Sequence, residues 1–260
     1  EDYCVNGVPF VQCGRNGEMI GHAQITYDYA LKSIVSGSYT YEKISYKQIS
    51  SAVSKTGVDP VIKGLVESYA QVTDELGTKV LTDKLVGYFD KTEYAVNLMC
   101  EAIYFECKKQ KIDVDFTFAN DARTYLSSAL GKDFTYSSLY QAFPFDNTVY
   151  IIDMSGRTGC KELANYNCVY NTGIYELSIS QTYRVAAIDY LAFHTDANRN
   201  YDYFPNAKEI TYLTRDDGTV YTYRDILADY LLDNPNKVFD ADDYSSNESR
   251  FTHPTIQTAR

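Results

Sequence analysis

Tyr94-Ala-Val-Asn-Leu-Met-Cys-Glu-Ala-Ile-Tyr-Phe-Glu-Cys107 is the most apolar run in the chain that is long enough to be a helix. At about 100° per residue, Asn97, Glu101, Tyr104 and Lys108 line one stripe, and Cys100 and Cys107 share another, two turns apart. Glu106 falls roughly opposite the polar stripe, among Ala95, Met99, Ala102 and Ile103, where a carboxylate is costly unless paired or protonated. The run predicts a core helix, with Thr92 as its cap, carrying two cross-link points and one acid on its apolar side.

Toward the N-terminus, Asp59-Pro60 starts a helix, Asp as cap and Pro at the first helical position, which Val61, Ile62, Leu65, Val66, Tyr69 and Val72 carry to Gly77. Helical spacing of Ile20, Ala23, Tyr27, Ala30, Leu31 and Ile34 predicts another helix, and Tyr46 to Val53 and Thr78 to Val86 read the same way. Residues 20–109 are therefore expected to be mostly helical. Toward the C-terminus, Ile112 to Phe118 alternates like a half-buried strand, and Thr148 to Met154 is a continuous apolar run expected to be a buried one. Helices are expected after Asn120-Asp121, as far as Gly131, and over Gln181 to Phe193. Two alternating strands flank Asp217-Gly218, a hairpin over 209–223, followed by a helix from Arg224 to Leu232. The expected fold class is α+β: a helical N-terminal half and a mixed C-terminal half with a small antiparallel sheet, stabilised by disulfides. One globular domain is expected over 1–240, built as two lobes (18–143 mainly helical, 144–240 mixed), with 241–260 as a polar tail.

The disulfide expectation comes from six cysteines, Cys4, Cys13, Cys100, Cys107, Cys160 and Cys168, with no Cys-x-x-Cys pair or His cluster for zinc. On a regular helix Cys100 and Cys107 lie about 10 Å apart along the axis, too far to bond each other. They are expected to staple the helix to the N-terminal arm, to the 160–168 loop, or to both. The chain opens on Glu1-Asp2 without a basic-then-apolar leader, which reads as a mature secreted or periplasmic product.

Composition narrows the partners. The net charge of −11 repels phosphate backbones, so nucleic acid is not expected, and no run approaches the length of a membrane span. The chain holds 26 Tyr, 12 Phe and no Trp; Tyr suits surfaces that are half apolar and half wet, as at binding faces for protein or glycan ligands.

Two constellations carry candidate chemistry. Glu106 on its apolar face is placed as a general acid would be, with Glu101, Asp113 or Asp115 as second carboxylates. The words Ala102-Ile-Tyr-Phe-Glu106 resemble the catalytic helix of the SleB/CwlJ-type cell-wall hydrolases, where an Ile-Tyr-x-Glu segment carries the acid that cleaves glycan strands; Glu106 matches it. The resemblance covers five residues, and this chain continues Cys107-Lys-Lys-Gln110 where that family has Ala-Arg-Gly-Glu. The second constellation is Asp196, Asn198, Asn200 and Asp202, alternate oxygen ligands like the front of a calcium loop, although Tyr201 and Ala207 replace that loop's Gly and Glu. No Gly-x-Ser-x-Gly elbow, His-Glu-x-x-His pair or phosphate-cradling Gly loop is present. The expected function is that of a secreted bacterial-type protein acting by binding, an effector or accessory factor; the alternative is a cell-wall or glycan hydrolase using Glu106.

Overall fold

The computed structural model describes residues 3–5, 8–10, 12–14, 18–157, 168–193, 195–196, 201–202, 204 and 207–256. The chain divides into two compact units, residues 1–71 and 72–260.

In the first unit, β1 (Tyr3–Val5) pairs antiparallel with β2 (Val8–Phe10). The next four strands are β3 (Met19–Gln24), β4 (Tyr27–Asp28), β5 (Ser33–Ile34) and β6 (Thr40–Ser45), paired β3 to β6 and β4 to β5. This overturns the helix expected over 20–35. The Tyr-rich stretch beyond it supplies a partner strand, and Ile20 and Ala23 sit opposite Ile44 and Tyr41, cross-strand pairs that outweigh a fortuitous helical spacing. Helix α1 (Tyr46–Thr56) opens on a capping box between Ser45 and Gln48. Helix α2 (Pro60–Gly77) starts as expected: Asp59 Oδ1 accepts the amides of Val61 and Ile62 at 2.8 and 3.1 Å.

The second unit begins with β7 (Val80–Thr82), β8 (Leu85–Phe89) and α3 (Tyr94–Lys109). Then come β9 (Phe116–Ala119), β10 (Leu126–Ser128), β11 (Phe134–Thr135) and α4 (Tyr136–Ala142). Strands β12 (Val149–Ser155), β13 (Cys168–Asn171), β14 (Glu176–Leu177) and β15 (Thr182–Ile188) lead to the short α5 (Asp189–Phe193). The chain continues through β16 (Thr195–Asp196), β17 (Tyr201–Asp202), β18 (Lys208–Tyr212), α6 (Tyr223–Asp233), β19 (Phe239–Asp240) and β20 (Thr255–Ile256).

The central sheet runs β13-β9-β15-β12-β18. Its one parallel pair is β9 with β15, in register Val185 to Phe116 and Ala187 to Phe118; the other neighbours are antiparallel. Helix α3 lies against β9 and β13, and α6 packs on α3. Phe116, Phe118, Ile151, Val185 and Ala187 from the sheet and Leu98, Met99 and Ile103 from α3 fill the core between them. Smaller sheets flank this layer: β8 between β10 and β19, and β7 with β11. No described helix is long and apolar enough to cross a membrane.

The fold is thus mixed α/β with several sheets, and the helical first half is corrected. Three further helices expected from the sequence are something else. Residues 182–188 form β15, a central strand whose inner residues 185–188 are all buried. A strand covered on both faces loses its alternation and reads as a continuous apolar run. Residues 80–89 form β7 and β8, where Gly87 adopts φ +94 and a Cβ would stand 3.0 Å from that of Ala241. Residues 120–125 are loop rather than helix. The 209–223 hairpin is reduced to strand β18, an isolated bridge from Thr214 to Val220, and a turn in which Gly218 takes φ +82.

The disulfide framework is also corrected. Cys13, Cys100 and Cys107 are thiols, not halves of disulfides. Burial in the α3 core pushes the Cys100 and Cys107 thiols up to about 12, so neither offers a thiolate for exchange. The side chains of Cys4 and Cys168, and all of Cys160, lie outside the described residues.

Candidate functional site

The parallel pair decides where a site forms. β9 and β15 end on the same edge of the sheet, and in open α/β sheets ligands lodge in the crevice beyond the carboxyl ends of such strands. A cavity of about 480 Å³ lies there, lined by Lys91, Asn120, Asp121, Ala122, Arg123, Phe145, Asn147 and Tyr190. Asn120 to Arg123 follow β9 directly, Tyr190 follows β15, Phe145 and Asn147 come from the α4–β12 connection, and Lys91 precedes α3.

Backbone bonds hold these segments in place. The Ala122 amide donates to Lys91 O and the Arg123 amide to Ala142 O, both at 2.8 Å. Asn147 O accepts from the Tyr223 amide at 2.9 Å, and Thr148 O from the Asp189 amide at 2.8 Å. Asp90, just before Lys91, turns its carboxylate onto the start of α3, where Oδ1 accepts the amides of Thr92 and Glu93 at 2.8 and 2.9 Å.

The chemistry of the lining is specific. Two cations, Lys91 and Arg123, oppose one carboxylate, Asp121, within a chain of net charge −11. Burial raises the Asp121 carboxyl, Lys91 pulls it down and Asp90 raises it again, with a net rise. The Arg123 guanidinium lies over the Phe145 ring, 4.7 Å from its centroid. Phe145 and Tyr190 remain 47% and 44% exposed, so both rings are accessible from the cavity. Two aromatic rings, two amides and a small cationic excess suit a planar, anionic, hydroxyl-bearing molecule. Sequence reading missed this site because Asn120-Asp121 also reads as a helix cap. The available signal was a strand, Phe116–Ala119, running straight into Asn, Asp and Arg.

The residues singled out from the sequence are placed elsewhere. Glu101 is 3% exposed, and its Oε1 accepts from Tyr230 Oη, Lys237 Nζ and Tyr244 Oη at 2.7, 2.5 and 2.9 Å. Arg250 Nε stands 3.3 Å from Oε2. Two hydroxyls and two cations thus surround one carboxylate. Glu106 is half-buried, accepts from Gln110 Nε2 at 2.8 Å, and lines two shallow cavities of about 280 and 380 Å³ beside α6. The two acids therefore answer to different partners, a buried cluster for Glu101 and a neighbouring amide for Glu106. Asp196 and Asp202 stand on the paired strands β16 and β17, while Asn198 and Asn200 lie outside the described residues. Among the described residues, no group of three or more His, Cys, Asp or Glu is placed to hold a metal ion.

No family model matches this sequence, and no curated protein matches it. Solved structures do. The chain is similar to a 5'-nucleotidase precursor from Thermus thermophilus, with 15% identity and a TM-score of 0.50 over 97% of this chain and 52% of that one. It is also similar to a putative 5'-nucleotidase from Staphylococcus aureus in complex with alpha-ketoglutarate, with 14% identity and a TM-score of 0.57 over 99% of this chain and 54% of that one. The chain therefore spans about half the length of these neighbours. At this identity the likeness is one of fold. It overturns both functional expectations drawn from the sequence, the effector that only binds and the glycan hydrolase built on Glu106, in favour of a nucleotidase-like architecture.

Proposed function

We propose that this chain is the nucleotide-recognising part of a nucleotidase-type enzyme, and that the cavity beyond β9 and β15 is where the nucleotide sits. One observation carries the reading: an aromatic, cationic and amide-lined cavity lies at the carboxyl ends of the parallel strands, in a fold similar to that of proteins named as 5'-nucleotidases. The base stacks on Phe145 and Tyr190, a contact worth about 1–3 kcal/mol per base. Asp121, Asn120 and Asn147 offer partners to ribose hydroxyls and base edges. Lys91 and Arg123 meet the phosphate, where each charge-assisted hydrogen bond contributes about 1.5–3 kcal/mol.

Removing phosphate also requires an activated water and stabilisation of the transferring group. Of these requirements the cavity offers the charges of Lys91 and Arg123, and the step assigned to it is recognition of the nucleotide. An extracytoplasmic setting is proposed alongside, since the Thermus neighbour is named as a precursor.

The test is calorimetric titration of the chain with AMP, adenosine, inorganic phosphate and a soluble peptidoglycan fragment. AMP is expected to bind more tightly than adenosine or phosphate, and Arg123→Ala is expected to weaken AMP about tenfold or more. Absence of AMP binding, or binding indifferent to Arg123, would overturn the assignment.

A further inference from the structure

Arg224 does not line the cavity, yet it ties down the segment that supplies the cavity's aromatic wall. It belongs to the first turn of α6 and is 6% exposed. Its guanidinium donates in four directions. Nε reaches Tyr136 Oη at 3.0 Å, Nη1 reaches Phe143 O at 3.1 Å and Phe145 O at 3.0 Å, and Nη2 reaches Asp146 Oδ1 at 2.6 Å. Three of the four acceptors belong to residues 143–146, the segment around Phe145. Tyr136 Oη donates its hydrogen bond to Asp225 Oδ1 at 2.7 Å, which fixes the hydroxyl as acceptor toward Arg224. Asp225 is in turn paired with Arg215 at 3.2 Å. The Tyr140 ring covers the guanidinium at 4.7 Å.

A planar fork with donors on three nitrogens holds two carbonyls, a carboxylate and the Tyr136 hydroxyl at once, whereas a lysine ammonium has three donors at one point and cannot serve all four. Pro144 removes one backbone freedom between the two anchored carbonyls. Phe145 is thus clamped at its own carbonyl and on both sides, while its ring stays exposed in the cavity under Arg123.

We propose that Arg224 is a positioning residue for nucleotide selectivity: by holding residues 143–146 it presents the Phe145 ring to the base. The proposal rests on the reading of the cavity as a nucleotide site. It separates the base from the rest of the ligand, because Lys91 is tied to the Ala122 amide, and Arg123, although stacked on the Phe145 ring, keeps its own backbone anchor on Ala142 O, outside residues 143–146.

The experiment compares wild type, Arg224→Lys, Phe145→Ala and the double variant, titrated with AMP and with ribose 5-phosphate, which lacks the base. Amide hydrogen exchange is followed over 143–147. Arg224→Lys is expected to weaken AMP about tenfold and to leave ribose 5-phosphate within about twofold. Phe145→Ala is expected to do the same, and the double variant no more than either, with faster exchange confined to 143–147. Equal loss of both ligands, additive losses in the double variant, or unchanged exchange at 143–147 would overturn the proposal. Should wild type bind no AMP, the nucleotide reading fails on its own, and the exchange pattern still decides whether Arg224 holds the segment. If Arg224→Lys does not fold, Tyr136→Phe removes the Nε acceptor together with the hydroxyl's bond to Asp225, and leaves the acceptors on residues 143–146 in place; the same pattern is expected at about threefold, and its absence overturns the proposal.

Discussion

Glu101 and Glu106 are five residues apart on one helix, and burial separates them completely. A hydrophobic-stripe reading assigns Glu106 to the apolar side because α3 is treated as having one buried face. The helix is instead covered nearly all round from Ala95 to Ile103, since the 237–251 segment lies over its polar stripe. Glu93 Oε1 accepts the Ser246 amide at 2.6 Å, Asn97 Nδ2 donates to Tyr244 O at 2.8 Å, and Glu101 gathers Tyr244, Lys237 and Arg250. Asn97 and Glu101 were legible in the sequence as members of one polar stripe, and Glu93 extends it by one turn; the chain segment that covers it was not legible, because nothing local marks a residue 147 positions away as its partner. Replacing Glu101 by Gln leaves Lys237 and Arg250 facing each other without a counter-charge. Both are about a third exposed, so water relieves part of the penalty, and a loss of about 2–3 kcal/mol is expected in urea denaturation; a loss below about 0.5 kcal/mol would mean the cluster is not formed. The same cluster sets an alkaline dependence. Burial first, and the Glu101 charge next, raise the Tyr230 and Tyr244 hydroxyls above their ordinary value. The folded state then holds protons that the unfolded chain releases above about pH 10. Stability from these groups is full below that pH and falls as pH rises, by about 1.4 kcal/mol per pH unit per group. Tyr244→Phe should lower stability at pH 8 by about 1 kcal/mol and make the decline above pH 10 shallower by one proton. An unchanged slope would show that the hydroxyl is not held.

At the scale of elements, helix starts were the most readable features and strand partners the least. Asp59-Pro60 opens α2 and Ser45 caps α1 through signals contained within four residues. The start of α3 at Tyr94 was anticipated, but Thr92 does not cap it: the cap position is Glu93, which makes no side-chain cap bond, and Asp90 instead holds the turn that leads into the helix. Strand β15 was unreadable for a different reason. Its neighbours β9 and β12 come from 116–119 and 149–155, and only their arrival on both sides turns Tyr-Arg-Val-Ala-Ala-Ile into a strand. The site inherits this limit, since its residues are brought together by the ends of β9 and β15. Asp90 links the readable and unreadable parts, because it holds the turn into α3 and adjoins Lys91 of the cavity. Asp90→Ala is expected to cost about 1–2 kcal/mol of stability and to weaken AMP binding through the displaced Lys91. Thermal unfolding and titration check the two together, and a destabilised variant with unaltered AMP affinity would separate the turn from the site.

Over the whole molecule, the cysteines decide how the fold is held. An even count invited a disulfide framework, and the argument that Cys100 and Cys107 cannot bond each other still stands on helix geometry. What the count could not convey is that a unit of this size makes a continuous core from α3, α6 and a five-stranded sheet, in which Cys100 and Cys107 are buried as thiols. Within that core a cysteine acts as a small hydrophobe, and both α3 thiols are fully buried. Their chemistry is accordingly silent while the fold is intact: the thiol stays protonated, and no alkylating reagent can reach it. Iodoacetamide applied without reductant should therefore leave Cys100 and Cys107 unmodified in the native chain and modify both once urea unfolds it, as read by peptide mass spectrometry. Modification that appears only after a reductant is added would mean that these positions are oxidised and the core is stapled after all. Rapid modification of the native chain would mean that α3 opens readily, which would also loosen the grip of its polar stripe on the 237–251 segment.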